Sequence, residues 1–129
     1  DFFNAYSAGS HPAGYVHQLS IKTLEKNKIF LDNFKSQSWN DFSDINFDLV
    51  ITVCDNAAGE TCPLYLKNTL KAHWGVADPA KFKGTEEEAE IEFLKVFNVL
   101  KKRCLALVQN YKQNNLLNID QIKEIGNLI

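Results

Sequence analysis

Two cysteines, Cys54 and Cys62, are the residues of this chain whose type and spacing could carry redox chemistry. Seven residues separate them, and these include Gly59 and small side chains. Such a segment can bend far enough to bring two sulfur atoms together. A cysteine reacts as its thiolate, which is favoured near backbone amides or cations. The spacing is not that of a CxxC motif, so the residues alone fit both a redox pair and two space-filling thiols.

Zinc binding is a second interpretation of the same segment, with Cys54, Cys62 and His73 as ligands. Structural zinc usually has four ligands and pairs of them spaced as C-x₂₋₄-C, a spacing that this sequence lacks. The three histidines, His11, His17 and His73, show no ligand spacing of their own. We expect them to be surface or packing residues, and the pattern favours thiol chemistry over zinc.

An aspartate, Asp78, is the candidate for acid–base chemistry. It precedes Pro79, which biases its backbone towards an extended conformation and limits where its carboxyl group points. A general acid must be held within hydrogen-bonding distance of its leaving group, and a stiff backbone suits that task. Aspartate before proline also commonly begins a turn. The dipeptide alone leaves both roles open.

The composition of the chain is that of an ordinary globular domain. Its 129 residues are 45% hydrophobic and 23% charged, and their length fits one domain. A formal net charge of -2 gives no reason to expect nucleic acid as a partner. No apolar run approaches the roughly 18 residues of a membrane span, and the first residues lack the features of a signal peptide. We therefore expect a cytoplasmic protein without a membrane partner.

Alternating strands and helices position the candidate residues. The predicted strands are residues 3–8, 48–54 and 69–76, and the predicted helices are residues 15–26 and about 86–112. This alternation predicts a layered α/β fold with a mainly parallel sheet, in which ligands gather at the carboxyl ends of the strands. Cys54 ends one predicted strand and Asp78 follows the next. We expect both to lie at the same edge of the sheet.

The long helix has a clear start and a clear apolar face. Thr85 and Glu88 form a capping box at its start. One apolar stripe, which predicts a buried face, consists of Phe93, Phe97, Leu100, Cys104, Leu107, Val108 and Tyr111. This stripe places Cys104 in the core. The basic residues Lys101, Lys102 and Arg103 are expected to be solvated near the negative end of the helix dipole.

The residues after this helix form a separate pattern. Isoleucines recur at helical spacing between residues 114 and 129, which predicts a short C-terminal helix. The helix could pack back on the domain or contact a second chain, so a homodimer is one option. We accordingly divide the chain into a domain of residues 1–113 and an extension of residues 114–129. Trp74 is expected to anchor its strand in the core.

Several longer stretches resemble a known family. They are AYSAGSHPAG (5–14), FDLVITVCDNAAGETCP (47–63) and HWGVADPAKFKGTEEE (73–88), followed by the long helix. These motifs are similar to those of the arsenate reductases that share the low-molecular-weight tyrosine phosphatase fold, and the similarity runs from about residue 3 to residue 110. The resemblance implies a three-layer αβα domain with a four-stranded, mainly parallel sheet.

The resemblance also implies a reaction. In this family a cysteine in an N-terminal Cys-x₅-Arg loop attacks arsenate, and an aspartic acid assists the loss of water. A second cysteine attacks the first and expels arsenite, and a third takes over the disulfide for reduction. By resemblance, Cys54 is the second cysteine, Cys62 the third and Asp78 the acid. No bound cofactor is implied. The external reductant is thioredoxin or glutathione with glutaredoxin, since Cys62 lies one position further from Cys54 than in the best-known thioredoxin-coupled members.

One part of the family pattern has no match in residues 1–129. The family's first strand, Cys-x₅-Arg loop and first helix precede the matched motifs, and no cysteine here has that spacing: Cys54 would need an arginine at position 60 and has Glu60. We therefore expect this chain to lack the first strand and to be inactive by itself. Alternatives are a tyrosine phosphatase and a non-catalytic redox or binding module. Ala80, Lys81 and Phe82 follow Asp-Pro, where the phosphatases carry tyrosines, and this favours arsenate.

Overall fold

The computed structural model of the chain describes residues 2–54 and 66–129. Its helices are α1 (Gln18–Lys26), α2 (Glu86–Asn114) and α3 (Ile119–Ile125), and its strands are β1 (Leu49–Thr52) and β2 (Leu70–His73). Short 3₁₀ turns lie at Trp39–Phe42 and Pro79–Lys81. In the described ranges, no helix combines the length and the apolarity that crossing a membrane requires.

Strands β1 and β2 pair in parallel, with Leu49 opposite Leu70 and Thr52 opposite His73. Apolar and β-branched residues dominate β1, as expected for a strand covered by other elements. The predicted α/β architecture with a parallel sheet is therefore confirmed. Among the residues that the structure describes, the sheet has two strands, so the four strands implied by the resemblance stay a prediction.

The predicted strand at residues 3–8 is wrong. The backbone of this segment forms no ladder with the described strands, and pairing begins only with an isolated bridge between Gly9 and Ser38. Aromatic contacts hold the segment instead: the ring centroid of Phe3 lies 5.4 Å from that of Tyr111, and Tyr6 packs edge-on against Phe42 at 5.5 Å. Alternating side chains predict a strand only where a neighbour supplies backbone donors and acceptors.

Helix α1 packs against the first half of α2. The imidazole ring of His17, whose Nδ1 accepts from the amide of Leu19 at the start of α1, lies 4.8 Å from the ring of Phe93. At the surface of this contact Lys22 donates to Glu90. This hydrogen bond raises the pKa of Lys22 and lowers the pKa of Glu90. The prediction that His17 is a surface or packing residue is thus confirmed.

Helix α2 begins as its sequence predicts. The hydroxyl of Thr85 accepts from the amide of Glu88 at 3.2 Å, and the carboxylate of Glu88 accepts from the amide of Thr85 at 3.2 Å. The helix ends at Asn114 and is capped by Asn115, whose left-handed conformation (φ 54°) lets its amide donate to the carbonyl of Tyr111.

The buried face of α2 differs from the predicted stripe at Cys104. This residue is exposed, so its predicted place in the core is wrong. On this half of the helix the neighbouring elements bury Arg103, which lies outside the stripe, and pack against Ala106 and against Leu107 of the stripe. The stripe identified the amphipathic helix correctly, but it could not show which of two adjacent rows the rest of the chain covers.

The core lies between β2, α2 and α3. Its buried residues are Ala72, Trp74, Ile122 and Ile125. Trp74 is 2% exposed, and its indole N–H donates to the carbonyl of Ile122 at 2.8 Å, which confirms its predicted role as an anchor. The segment after α2 therefore packs back on the sheet. The division of the chain at residue 113 stays a prediction.

The end of α3 approaches β2 closely at Gly126. A Cβ atom at this position would lie 2.9 Å from Cδ1 of Trp74 and 3.1 Å from the carbonyl oxygen of His73. The absence of a side chain is therefore what allows the C-terminal segment to sit against the end of β2.

Candidate functional site

Cys54 lies just beyond the end of β1 and is half-buried. Parallel pairing continues past the regular strands, since the amide of Trp74 donates to the carbonyl of Thr52 at 2.7 Å and that of Val76 to the carbonyl of Val53 at 2.9 Å. Cys54 follows Val53 directly. Its thiol is thus carried at the carboxyl end of the ladder, where parallel sheets place their ligands.

Asp78 lies two residues after Val76, in the segment that leaves β2. Its backbone is extended, with φ −72° and ψ 110°, as predicted for a residue before proline. The side chain is exposed, and its Oδ1 accepts from the amide of Ala80 at 2.9 Å. Asp78 therefore caps the 3₁₀ turn at Pro79–Lys81, which is the turn-initiating role that the dipeptide also predicted. This bond fixes the orientation of the carboxyl group.

The segments that carry Cys54 and Asp78 leave the sheet at the same edge. The hydrogen bond between Val53 and Val76 joins them one residue before Cys54 and two residues before Asp78. This placement agrees with the expectation from the strand pattern. The third predicted site residue, Cys62, lies outside the described residues. A thiol and an oriented carboxyl group at one edge could supply a nucleophile and an acid to a shared substrate.

A pair of side chains that the sequence analysis missed lies on the last register position of the ladder. The hydroxyl of Thr52 and Nδ1 of His73 are 2.7 Å apart. The sequence contained both residues but not the strand register that brings them together. Within residues 2–54 and 66–129, no three His, Cys, Asp or Glu side chains are grouped so as to hold a metal ion. The zinc alternative involves Cys62 and so stays untested.

Arg103 is a second residue that the sequence analysis misjudged. Its place in a run of basic residues predicts a solvated side chain, but it is 4% exposed. Its Nη1 donates to the carbonyls of Trp74 at 2.9 Å and Gly75 at 3.3 Å, and its Nε donates to the carbonyl of Leu128 at 3.0 Å. These carbonyls satisfy a guanidinium group that would otherwise be costly to bury. A run of basic residues gives no sign that two distant segments cover one of them.

Comparison with known proteins decides the family. A family model described as low molecular weight phosphotyrosine protein phosphatase matches residues 1–117. This chain belongs to that family. The resemblance seen in the motifs is thereby confirmed, and the α/β fold described above is that of the low-molecular-weight phosphatases.

Several relatives of this low-molecular-weight phosphatase-like chain carry the name arsenate reductase. The one from Bacillus subtilis (strain 168) is 35% identical over 114 residues, which are 87% of this chain and 79% of the relative. The one from Halalkalibacterium halodurans is 32% identical over 112 residues, again 87% and 79% of the two chains. The one from Bacillus licheniformis is 35% identical over 103 residues, 80% of this chain and 73% of the relative.

Within this phosphatase-like domain, Cys104 differs from the candidate site cysteines in its location. It lies within α2, whereas Cys54 and Asp78 lie in the segments that follow β1 and β2. The partial burial that its thiol retains raises the pKa of Cys104 above the ordinary value of 9.0. A raised pKa reduces the thiolate population and hence the reactivity of the residue at neutral pH. The catalytic roles of Cys54, Cys62 and Asp78 stay predictions.

Proposed function

We propose that the protein is an arsenate reductase that converts arsenate to arsenite through a relay of cysteine thiols. The observation that best supports this proposal is the Val53–Val76 hydrogen bond, which brings the segments of Cys54 and Asp78 to one edge of the sheet. The names of the relatives support arsenate as the substrate.

The first step needs a thiolate from the Cys-x₅-Arg loop that the resemblance implies. This thiolate attacks arsenic, a sulfur–arsenic bond forms, and one arsenic–oxygen bond breaks. Asp78 donates a proton to the departing hydroxide, which leaves as water. Because Oδ1 of Asp78 accepts from Ala80, we assign the transferred proton to Oδ2. The exposure of this residue allows it to be reprotonated from solvent.

The second step is the reduction itself. The Cys54 thiolate attacks the sulfur of the arsenate adduct and forms a disulfide with it. The electron pair of the sulfur–arsenic bond passes to arsenic, which changes from As(V) to As(III) and leaves as arsenite. The Cys62 thiolate then attacks the sulfur of Cys54 and releases the first thiolate.

The remaining Cys54–Cys62 disulfide is reduced by two electrons from external thiols, supplied by one dithiol or by two molecules of a monothiol. We propose thioredoxin or glutathione with glutaredoxin for this role, and no bound cofactor. These reductants keep thiols reduced in the cytoplasm, which is where we place the reaction. The relay requires the sulfur of Cys54 to meet two different partners in turn.

A reductant-coupled arsenate assay on the full-length gene product tests the proposal. We expect Cys54→Ser to reduce turnover to below about a hundredth, because the proposed relay assigns to Cys54 the attack that breaks the sulfur–arsenic bond. Cys62→Ser should permit at most one turnover per molecule with thioredoxin. Cys104→Ser is the matched control and should retain the wild-type rate. Full activity of Cys54→Ser would contradict the relay.

A tyrosine phosphatase is the second candidate, favoured by the description of the matched family model. It would use the same nucleophilic loop but no thiol relay. Hydrolysis of a phenyl phosphate ester that survives replacement of both Cys54 and Cys62 would support it. A non-catalytic module, by contrast, predicts no turnover of either substrate by the full-length gene product.

A further inference from the structure

We propose that Arg103 is a positioning residue that fixes the segment carrying Asp78 against the segment carrying Cys54. This inference rests on the proposed function, because it takes those two side chains as the acid and the thiol of the relay. It assigns to a helix residue outside the site the task of holding the two site segments in register.

The peptide group between Gly75 and Val76 is held from both sides. Its N–H, from Val76, donates to the carbonyl of Val53 at 2.9 Å. Its C=O, from Gly75, accepts from Nη1 of Arg103 at 3.3 Å. One peptide group therefore links the residue before Cys54, the guanidinium group on α2 and the segment that leads to Asp78.

The preceding residue is fixed in the same way. The amide of Trp74 donates to the carbonyl of Thr52 at 2.7 Å, and its carbonyl accepts from the same Nη1 of Arg103 at 2.9 Å. Two successive carbonyls of the segment after β2 thus share one guanidinium nitrogen. Rotation of either peptide group would break a ladder bond or a bond to Arg103.

Arg103 is itself held in place by the C-terminal segment. Its Nε donates to the carbonyl of Leu128 at 3.0 Å. The segment before Leu128 is seated on β2, where Gly126 allows close approach to Trp74 and His73. Arginine presents its donors in a rigid planar fork, so it can serve several fixed carbonyls, whereas lysine is a flexible point charge. Arg103 is the only arginine in the sequence.

The consequence for the reaction is geometric. Gly75 lies three residues before Asp78, so a shift of its peptide group changes where the acid is held relative to Cys54. Small misplacements of a catalytic group can cost about a hundredfold in rate. We therefore expect loss of this contact to reduce kcat while leaving KM for arsenate nearly unchanged.

The test combines amide hydrogen exchange with kinetics on the full-length protein. The variants are Arg103→Gln, Arg103→Lys and Gly126→Ala, and the control is Lys101→Gln, an exposed cation on the same helix. We expect Arg103→Gln to speed exchange of the Val76 and Ala80 amides at least about tenfold relative to the Ala72 amide, and to lower kcat by about tenfold or more. Arg103→Lys should recover part of both effects, and Lys101→Gln should change neither.

If Arg103→Gln does not fold, Gly126→Ala tests the positioning role instead. It disturbs the seat of the C-terminal segment without altering Arg103, and it should loosen the same two amides. Unchanged exchange of Val76 and Ala80 in the folded variants would overturn the proposal, as would an unchanged kcat in an active enzyme. Faster exchange in a protein that shows no arsenate turnover even as wild type would support the positioning role and reject the proposed function.

Discussion

At the scale of single residues, Asp78 combines a structural role with a proposed chemical one. Its Oδ1 caps the 3₁₀ turn by accepting from Ala80 at 2.9 Å, while the residue stays exposed. The two roles can be separated, because the cap needs only an acceptor oxygen and the reaction needs an ionisable proton.

Asp78→Asn is therefore predicted to retain the fold and lose the reaction. The amide oxygen of asparagine can keep the hydrogen bond from Ala80, so the free energy of unfolding should change by less than about 1 kcal/mol. Without a proton donor for the leaving hydroxide, turnover should fall by about a hundredfold or more. Chemical denaturation and the arsenate assay measure the two effects. Asp44→Asn, an exposed control, should leave both unchanged; a fully active Asp78→Asn would exclude the acid role.

Cys104 offers a prediction about pH at the same scale. Partial burial of its thiol raises the pKa of Cys104 above the ordinary value of 9.0, so the folded protein holds the proton more tightly than the unfolded chain. At any pH below that value, less thiolate is present and alkylation by iodoacetamide should be slower in the folded protein than in urea. The difference between the two alkylation rates should narrow as the pH rises through the pKa of Cys104 in the folded protein. Equal rates at neutral pH would show that the thiol is not shielded.

At the scale of elements, features that depend on neighbouring residues could be predicted from the sequence, and features that depend on distant residues could not. The start of α2 could be predicted because its capping box, Thr85 with Glu88, lies within four residues. The buried state of Arg103 could not, because Trp74, Gly75 and Leu128, which cover it, are distant in sequence. The strand predicted at residues 3–8 failed for a related reason: alternation describes one segment and says nothing about its partner.

Helix α3 is predicted to contribute strongly to stability, because Ile122 is fully buried against the sheet. Ile122→Ala should lower the free energy of unfolding by roughly 2–5 kcal/mol, the usual cost of a cavity of this size in a core. Urea denaturation followed by tryptophan fluorescence, to which the buried Trp74 contributes, measures this change. The matched control is Ile129→Ala, since Ile129 is 88% exposed, and it should change stability by less than about 0.5 kcal/mol. Equal effects of the two variants would show that α3 does not pack as described.

At the scale of the whole molecule, strand pairing and helix packing together position the candidate site residues. The parallel ladder brings the segments of Cys54 and Asp78 to one edge of the sheet. Helix α2, which is itself bonded to the C-terminal segment, contacts the residues after β2, and this contact holds that edge in place. The parallel sheet and the placement of both segments at one edge could be predicted from the sequence, since both follow from the alternation of strands and helices. The contact of α2 with the residues after β2 depends on tertiary packing, which no short motif encodes.

The same scale carries a prediction about activity. Residues 1–129 contain no Cys-x₅-Arg sequence, so this polypeptide alone should reduce no arsenate. A full-length product that supplies the motif should be active. An arsenate-dependent rate with residues 1–129 alone would require a different nucleophile and would overturn the proposed first step.

The central claim is that electrons reach arsenic through Cys54 and leave a disulfide with Cys62. Mass-spectrometric mapping of thiols in the full-length protein, after arsenate is added without external reductant, tests this claim most directly. We predict a peptide cross-linked between Cys54 and Cys62 that forms only with arsenate, in step with arsenite release, while Cys104 stays reduced. Release of arsenite with Cys54 still present as a thiol would contradict the account.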